Sequence, residues 1–223
     1  MYDFNLICCD TDSITICKKN ETAFTDQEIS KLTNELNSLF EEGIKWEYEF
    51  NLPKMIVLKA KNYVLYDGKT IKTKGSALKA TTKEPALREF IQETIKELIY
   101  ETYQFTNLYN RYVSEILNVR DISRWSSKKT ITDKVLNAQR TNEQKVKDII
   151  EGTEISEGDK IRVYFKPDGT LSLQENFDGI YCKKRLLKKL FDTAQVFDSI
   201  LPVDELYKNY SLKRNEKELQ SFG

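Results

Sequence analysis

Apolar positions recur in two rhythms along this chain, and the change from one to the other divides it. Near the amino terminus, Leu6-Ile7-Cys8-Cys9 and Ile14-Thr15-Ile16-Cys17 flank Asp10-Thr11-Asp12, the pattern of a hairpin over residues 4–17. Thr25-x-x-Glu28 is a capping box: the Thr25 hydroxyl accepts from the Glu28 amide while the Glu28 carboxylate reaches back. Behind it Ile29, Leu32, Leu36, Leu39 and Phe40 fall on one helical face, and Gly43 ends the run. Trp46, Tyr48, Phe50 and Leu52 then alternate with Lys45, Glu47, Glu49 and Asn51, which predicts a half-buried strand. Residues 54–58, 63–66 and 70–74 extend the sheet, with a turn at Asp67-Gly68.

After residue 84 the period lengthens. Pro85 suits the first turn of a long helix carrying Leu87, Phe90, Ile91, Ile95 and Leu98. A second helix holds Leu108, Tyr112, Ile116 and Leu117, and a third covers about residues 142–150. One hairpin interrupts them, 160–165 with 170–173, turning at Pro167-Asp168-Gly169. The last clear helix places Leu186, Leu187, Leu190, Ala194 and Phe197 on one face. The chain is therefore mixed α/β to about residue 84 and mostly α beyond, with no internal repeat or low-complexity linker.

Composition narrows the chemistry. The 223 residues are 39% hydrophobic and 31% charged with only 8 Gly and 4 Pro, a globular rather than a disordered balance. There is no histidine, which excludes a Ser-His-Asp triad, a Cys-His dyad and any imidazole-ligated metal. The cysteines (Cys8, Cys9, Cys17 and Cys182) show no C-x-x-C spacing, so reduced thiols and an intracellular location are expected. No apolar run of 18 residues and no basic leader occur, and no membrane partner is expected.

The net charge of zero conceals segregation. Residues 59–83 carry seven Lys against one Asp, residues 120–147 eight Lys or Arg against three acids, and residues 183–189 five cations and no acid. Residues 21–51 hold eight acids against two Lys, and residues 148–159 five acids alone. Each run read singly is a solvated face; three basic segments together point to a one-sided anionic partner.

Asp10-Thr11-Asp12-Ser13 sits between two apolar β runs. Two carboxylates crowded at one turn repel unless a cation compensates them, and hard cations such as Mg²⁺ take oxygen ligands. Asp is also an ordinary turn residue, so spacing alone leaves both readings open. The flanks add more. Cys9-Asp10-Thr11-Asp12-Ser13-Ile14 resembles the Asp-Thr-Asp-Ser palm motif of family B DNA polymerases. Trp46-Glu47-Tyr48-Glu49 looks like that family's Leu-Glu-Phe-Glu strand, Lys61-Asn62-Tyr63 like its Lys-x-Tyr motif, and Lys74-Gly75 with Pro85 like the segment leading into the thumb. The later helices and Gly158-Asp159-Lys160-Ile161 are similar to the thumb and its small hairpin.

The resemblance implies an α+β fold: residues 1–84 as the carboxyl-terminal part of a polymerase palm, an antiparallel sheet with a packed helix, and residues 85–223 as a mainly helical thumb with a small β-hairpin. It implies DNA-directed DNA polymerase activity with two Mg²⁺ ions. Asp12 is then the principal metal ligand, with Asp10 beside it, and Thr11 and Ser13 lie near the nucleotide. Lys61 reaches the primer-terminal pair and Tyr63 steadies the primer backbone, although Tyr63 also reads as plain strand core. Lys59, Lys74, Lys79, Lys128, Lys129 and Arg140 are the further expected DNA contacts; Glu47 and Glu49 read as solvent-facing.

The sequence also departs from the family. Cys8-Cys9 replaces the frequent Tyr-Gly before the motif, and Ala80-Thr81-Thr82 stands where cellular members carry Arg-Arg-Asp, which makes viral or phage members the closer fit. Neither an Asp-x-x-Ser-Leu-Tyr-Pro palm motif nor the fingers motif Lys-x-x-x-Asn-Ser-x-Tyr-Gly occurs. The expected partners are therefore primer–template DNA, a deoxynucleoside triphosphate, and a polymerase portion supplying exonuclease, fingers and the rest of the palm. That portion belongs to a split enzyme's other subunit or to a longer chain. Two other readings stay open: a non-enzymatic duplex-binding module, and a sliding-clamp adaptor resting on the tail Leu219-Gln220-Ser221-Phe222-Gly223.

Overall fold

The computed structural model describes residues 3–40, 43–79, 83–139 and 141–209. Ala80-Thr81-Thr82, Arg140 and the tail at 219–223 lie outside them. The fold is α+β with antiparallel sheets, in two compact units, residues 1–75 and 76–223. Among the described residues no helix is long and apolar enough to cross a membrane.

In the first unit, strands β1 (Phe4–Asp10) and β2 (Ser13–Lys18) form the expected hairpin. Asp10 pairs with Ser13, so Thr11 and Asp12 alone make the turn. Helix α1 (Asp26–Ser38) starts at the predicted box: the Glu28 amide donates to Thr25 Oγ1 at 3.3 Å and the Thr25 amide to Glu28 Oε2 at 2.8 Å. Lys18 Nζ also donates to Glu28 Oε2, at 2.7 Å, which ties the helix to β2. The helix ends at Ser38, before the expected stop at Gly43, and none of its residues is fully buried.

The strand expected over residues 45–52 does not form; those residues join no ladder. Its backbone groups are taken elsewhere. The Trp46 amide donates to Asn37 Oδ1 at 2.6 Å, and Asn37 Nδ2 donates to the Trp46 carbonyl at 2.9 Å. One side-chain amide thus does for Trp46 what a neighbouring strand does for a ladder residue. Trp46 and Leu52 are half-buried, whereas Tyr48 and Phe50 are exposed. A three-stranded meander follows, β3 (Lys54–Lys59), β4 (Asn62–Tyr66) and β5 (Ile71–Lys74). Its β4–β5 turn is held by the Asp67 carboxylate, which accepts from the Lys69 and Thr70 amides and the Thr70 hydroxyl.

The second unit opens with a short helix α2 (Ser76–Lys79), then α3 (Pro85–Tyr100) with Pro at its first turn and α4 (Phe105–Leu117). A 3₁₀ turn (Ile122–Trp125) leads to strand β6 (Ser127–Thr130), the short helix α5 (Asp133–Leu136) and α6 (Thr141–Ile150). Strands β7 (Lys160–Phe165) and β8 (Leu171–Leu173) form the predicted hairpin, and α7 (Lys183–Ala194) and α8 (Val203–Asn209) complete the unit. β6, which has no apolar alternation to announce it, pairs with the other edge of β7.

Period-two alternation lets β7 serve two cores. Tyr164 joins Phe90, Tyr112, Trp125 and Leu190, where α3, α4 and α7 meet; Phe90 and Tyr112 stand edge-to-face at 5.3 Å. Ile161 and Val163 face the opposite way, into a core with Val146, Ile150 and Leu173. At the foot of α3 the buried Glu84 accepts from Lys189 of α7, and Lys83 donates to Thr193 Oγ1 at 3.5 Å. Burial holds the Lys83 ammonium below its usual range.

Candidate functional site

The tight β1–β2 turn decides what the hairpin presents. Because Asp10 and Ser13 close the ladder, Thr11 and Asp12 project at its tip, exposed, while Asp10 is half-buried. The Ser13 hydroxyl donates to the Asp10 carbonyl at 3.4 Å and Thr11 Oγ1 to Asp10 Oδ1 at 3.5 Å, which brace the turn.

The β3–β4 connection is the second half of the site. It is another two-residue turn, closed by the Lys59–Asn62 pair, with Lys61 in the left-handed region at φ 58°. That conformation places Lys61 Nζ 3.9 Å from Asp10 Oδ1. Lys61 is exposed and Asp10 only half-buried, so the pair contributes only ~0–1 kcal/mol and yields readily to a competing cation or phosphate. Gly75, at φ 106°, packs under the same turn: a Cβ there would lie 2.2 Å from Asn62 Oδ1 and 2.5 Å from the Lys61 carbonyl oxygen. The close approach explains the glycine after Lys74.

Tyr63 follows on β4, half-buried, opposite Val57 on one side and Lys74 on the other. Its phenol is pushed above the usual range, first by burial and then by the neighbouring Asp10, Cys8 and Glu49. Tyr63 is thus both sheet material and a neighbour of the acidic tip. Glu49, read from the sequence as solvent-facing, is exposed but belongs to this electrostatic neighbourhood, whereas Glu47 pairs with Lys45 at 2.9 Å. Lys59, Lys61 and Lys74 collect at one end of the meander.

The structure therefore brings together Asp10, Lys61 and Tyr63, with Thr11, Asp12 and Ser13 in the same turn. Lys79 ends α2, and Lys128 and Lys129 lie on β6, all in the second unit. Carboxylate and hydroxyl oxygens suit Mg²⁺, but two acids are fewer than a two-ion site requires. Among the described residues no group of three or more acids or cysteines gathers to hold an ion. The donors fit one side of such a centre.

No family model and no curated protein matches the sequence. Among solved structures, the chain is similar to that of the family B DNA polymerase from the hyperthermophilic archaeon Pyrobaculum calidifontis, with a TM-score of 0.60 over 89% of this chain and 15% identity. The chain spans 27% of the length of that polymerase. At this identity the likeness is one of fold.

Proposed function

We propose that the chain is the carboxyl-terminal palm-and-thumb portion of a virus- or phage-type family B DNA-directed DNA polymerase, active once the rest of the palm and the fingers are supplied. The observation that carries this reading is the meeting of two tight turns. The Asp10–Asp12 tip and the Lys61 turn stand side by side, with Tyr63 behind them, in a chain whose fold is similar to such a polymerase.

Each residue then has a task. Asp12, exposed at the tip, would offer its carboxylate to Mg²⁺, and Asp10 would set the local charge. Bound Mg²⁺ would supply the positive charge that stabilises nucleotidyl transfer, in which the primer 3′ oxygen bonds to the α-phosphorus and pyrophosphate leaves. Lys61 leaves Asp10 for an acceptor on the primer-terminal pair, a move that a compact ammonium on a flexible stem makes at little cost. Tyr63, Lys59 and Lys74 hold the primer backbone near the turn, and Thr11 and Ser13 keep the tip in shape beside the nucleotide. Lys79 and Lys128 are duplex contacts of the second unit.

The missing portion has a surface to meet. Leu6, Ile14, Tyr48 and Phe50 are exposed in the first unit, where Leu58 and Val64 are the buried hydrophobic residues among those described. An incomplete palm lacking its other strands would show this. The test is primer extension with Mg²⁺. The chain alone should incorporate no nucleotide, and activity should appear on adding a polymerase portion carrying the other palm acid and the fingers. Robust extension by the chain alone refutes the incomplete-site reading. Duplex binding with no extension under any complementation reduces the chain to a binding module.

A further inference from the structure

The basic segments of the second unit are not equivalent once their partners are seen. In 183–189, Lys189 is paired with Glu84 and Lys188 with Asp192 at 2.8 Å, Arg185 lies 3.3 Å from the centre of the Phe165 ring, and Lys183 is 5.8 Å from that of Tyr181. Two of these five cations are thus ion-paired and two lie beside aromatic rings of the same unit. On the three-stranded sheet the situation differs. The β6–β7 register sets Lys128 directly opposite Arg162 and Thr130 opposite Lys160. Directly paired residues, and residues two apart on one strand, share a face. Lys128, Arg162 and Lys160 therefore stand on one face.

Like charges set directly opposite destabilise a ladder. No carboxylate among the described residues comes within 4 Å of any of the three, although Arg162 Nη1 donates to the Ser126 carbonyl at 3.3 Å, which anchors one edge of its guanidinium. Tyr164, next along the same face, is buried against Phe177 in the first core, so the face is fixed at that end and open where Lys128 and Lys160 are exposed. Lys129 belongs to the other face, opposite Ile161, and the nearby Glu143 is paired with Lys134 at 3.4 Å. One lysine faces an apolar residue across the ladder; its neighbour meets another cation.

We propose that the Lys128–Arg162–Lys160 face of the β6–β7 ladder is the phosphate-backbone contact through which this unit grips duplex DNA, with Lys129 outside it. The proposal deepens the polymerase reading and rests on it. A fixed row of uncompensated cations suits a polyanion with regularly spaced charges, and bound phosphates relieve the Lys128–Arg162 repulsion. Sequence preference is not expected, because phosphate contacts position without reading bases.

The experiment is fluorescence anisotropy of the full chain on a labelled mixed-sequence duplex at several salt concentrations. Each neutralised phosphate contributes about 0.9 to the slope of log K against log salt. Lys128→Gln with Arg162→Gln should flatten the slope by about 1.8, two contacts' worth. Lys128→Gln with Lys160→Gln repeats the test at two exposed positions and leaves the Arg162 anchor intact. Lys128→Gln should also leave the melting temperature equal or raised, because it removes a like-charge pair. Lys129→Gln should change the slope less than half as much as Lys128→Gln, and Lys188→Gln should leave it unchanged. An unaltered slope in both double variants, or an equal effect of Lys129→Gln, overturns the assignment while the polymerase reading stands. Binding of poly-glutamate as tight as that of duplex makes the face a protein contact, and thermal stabilisation by inorganic phosphate that saturates and blocks duplex makes it a small-anion site; both overturn the proposal. A wild-type chain that binds no duplex at any salt refutes the polymerase reading itself.

Discussion

Asp10 and Asp12 are two residues apart, yet their surroundings differ. Asp10 is half-buried, braced by Thr11 and answered by Lys61, whereas Asp12 stands exposed at the tip. In the complemented enzyme Asp12→Asn should lower the single-turnover extension rate on the order of 10²–10³-fold, because its charge acts on the transition state. Primer–template affinity should stay nearly constant, and Asp10→Asn should do less damage. Near-normal turnover by Asp12→Asn would remove it from the site. Glu28 carries a pH prediction. Its carboxyl is drawn down to about 2, first by Lys18 and then by the Thr25 amide and hydroxyl. An unfolded chain releases the same proton near about 4.3. The folded value is the lower one, so this contribution is complete above about pH 4.5 and is lost as pH falls toward 2. Side-chain NMR titration should show a Glu28 midpoint near 2, and a midpoint near 4.3 would mean the cap does not hold in solution.

Elements here are positioned by their ends more than by their lengths. Both turns of the candidate site are two residues long, and Gly75 fills the space under the second. Gly75→Ala forces the Lys61–Asn62 backbone to shift and strains a positive φ, an expected cost of about 1–3 kcal/mol. The comparison is Gly169→Ala, at φ 84° with open space around it, where only the conformational cost of about 1 kcal/mol applies. Urea unfolding of the first unit for Gly75→Ala, and of the second for Gly169→Ala, measures the difference. A raised KM for primer–template with little change in kcat in Gly75→Ala would show that Lys61 has moved. Equal stability losses at the two glycines would mean that the close approach is relaxed without effect.

At the scale of the molecule the two units are unlike. The second has two cores and aromatic contacts at 5.3–6.3 Å among Phe90, Tyr109, Tyr112 and Trp125; the first buries Leu58 and Val64 and leaves Tyr48 and Phe50 half in solvent. Tyr48→Ser with Phe50→Ser should therefore leave the chain's own unfolding almost unchanged while weakening association with the complementing portion at least about tenfold, in line with losing interface aromatics. Calorimetric titration measures this, and unchanged affinity would place the interface elsewhere. Sequence alone determined what local chemistry controls: the β1–β2 hairpin from two apolar runs about a tight turn, the Thr25–Glu28 cap from its spacing, the Asp67-Gly68 turn, and the apolar faces of α3 and α7. It misjudged residues 45–52, because alternation records which side chains suit a pleated surface and not whether a partner strand is there; Asn37 took the Trp46 backbone instead. It missed β6, whose Ser-Lys-Lys-Thr carries no apolar rhythm and whose strand character comes from the edge of β7. The meeting of Asp10 with Lys61, and the opposition of Lys128 to Arg162, were decided by tertiary structure alone. Charge is a property of a residue, but compensation is a property of distance, and distance across a turn or a ladder is set by register.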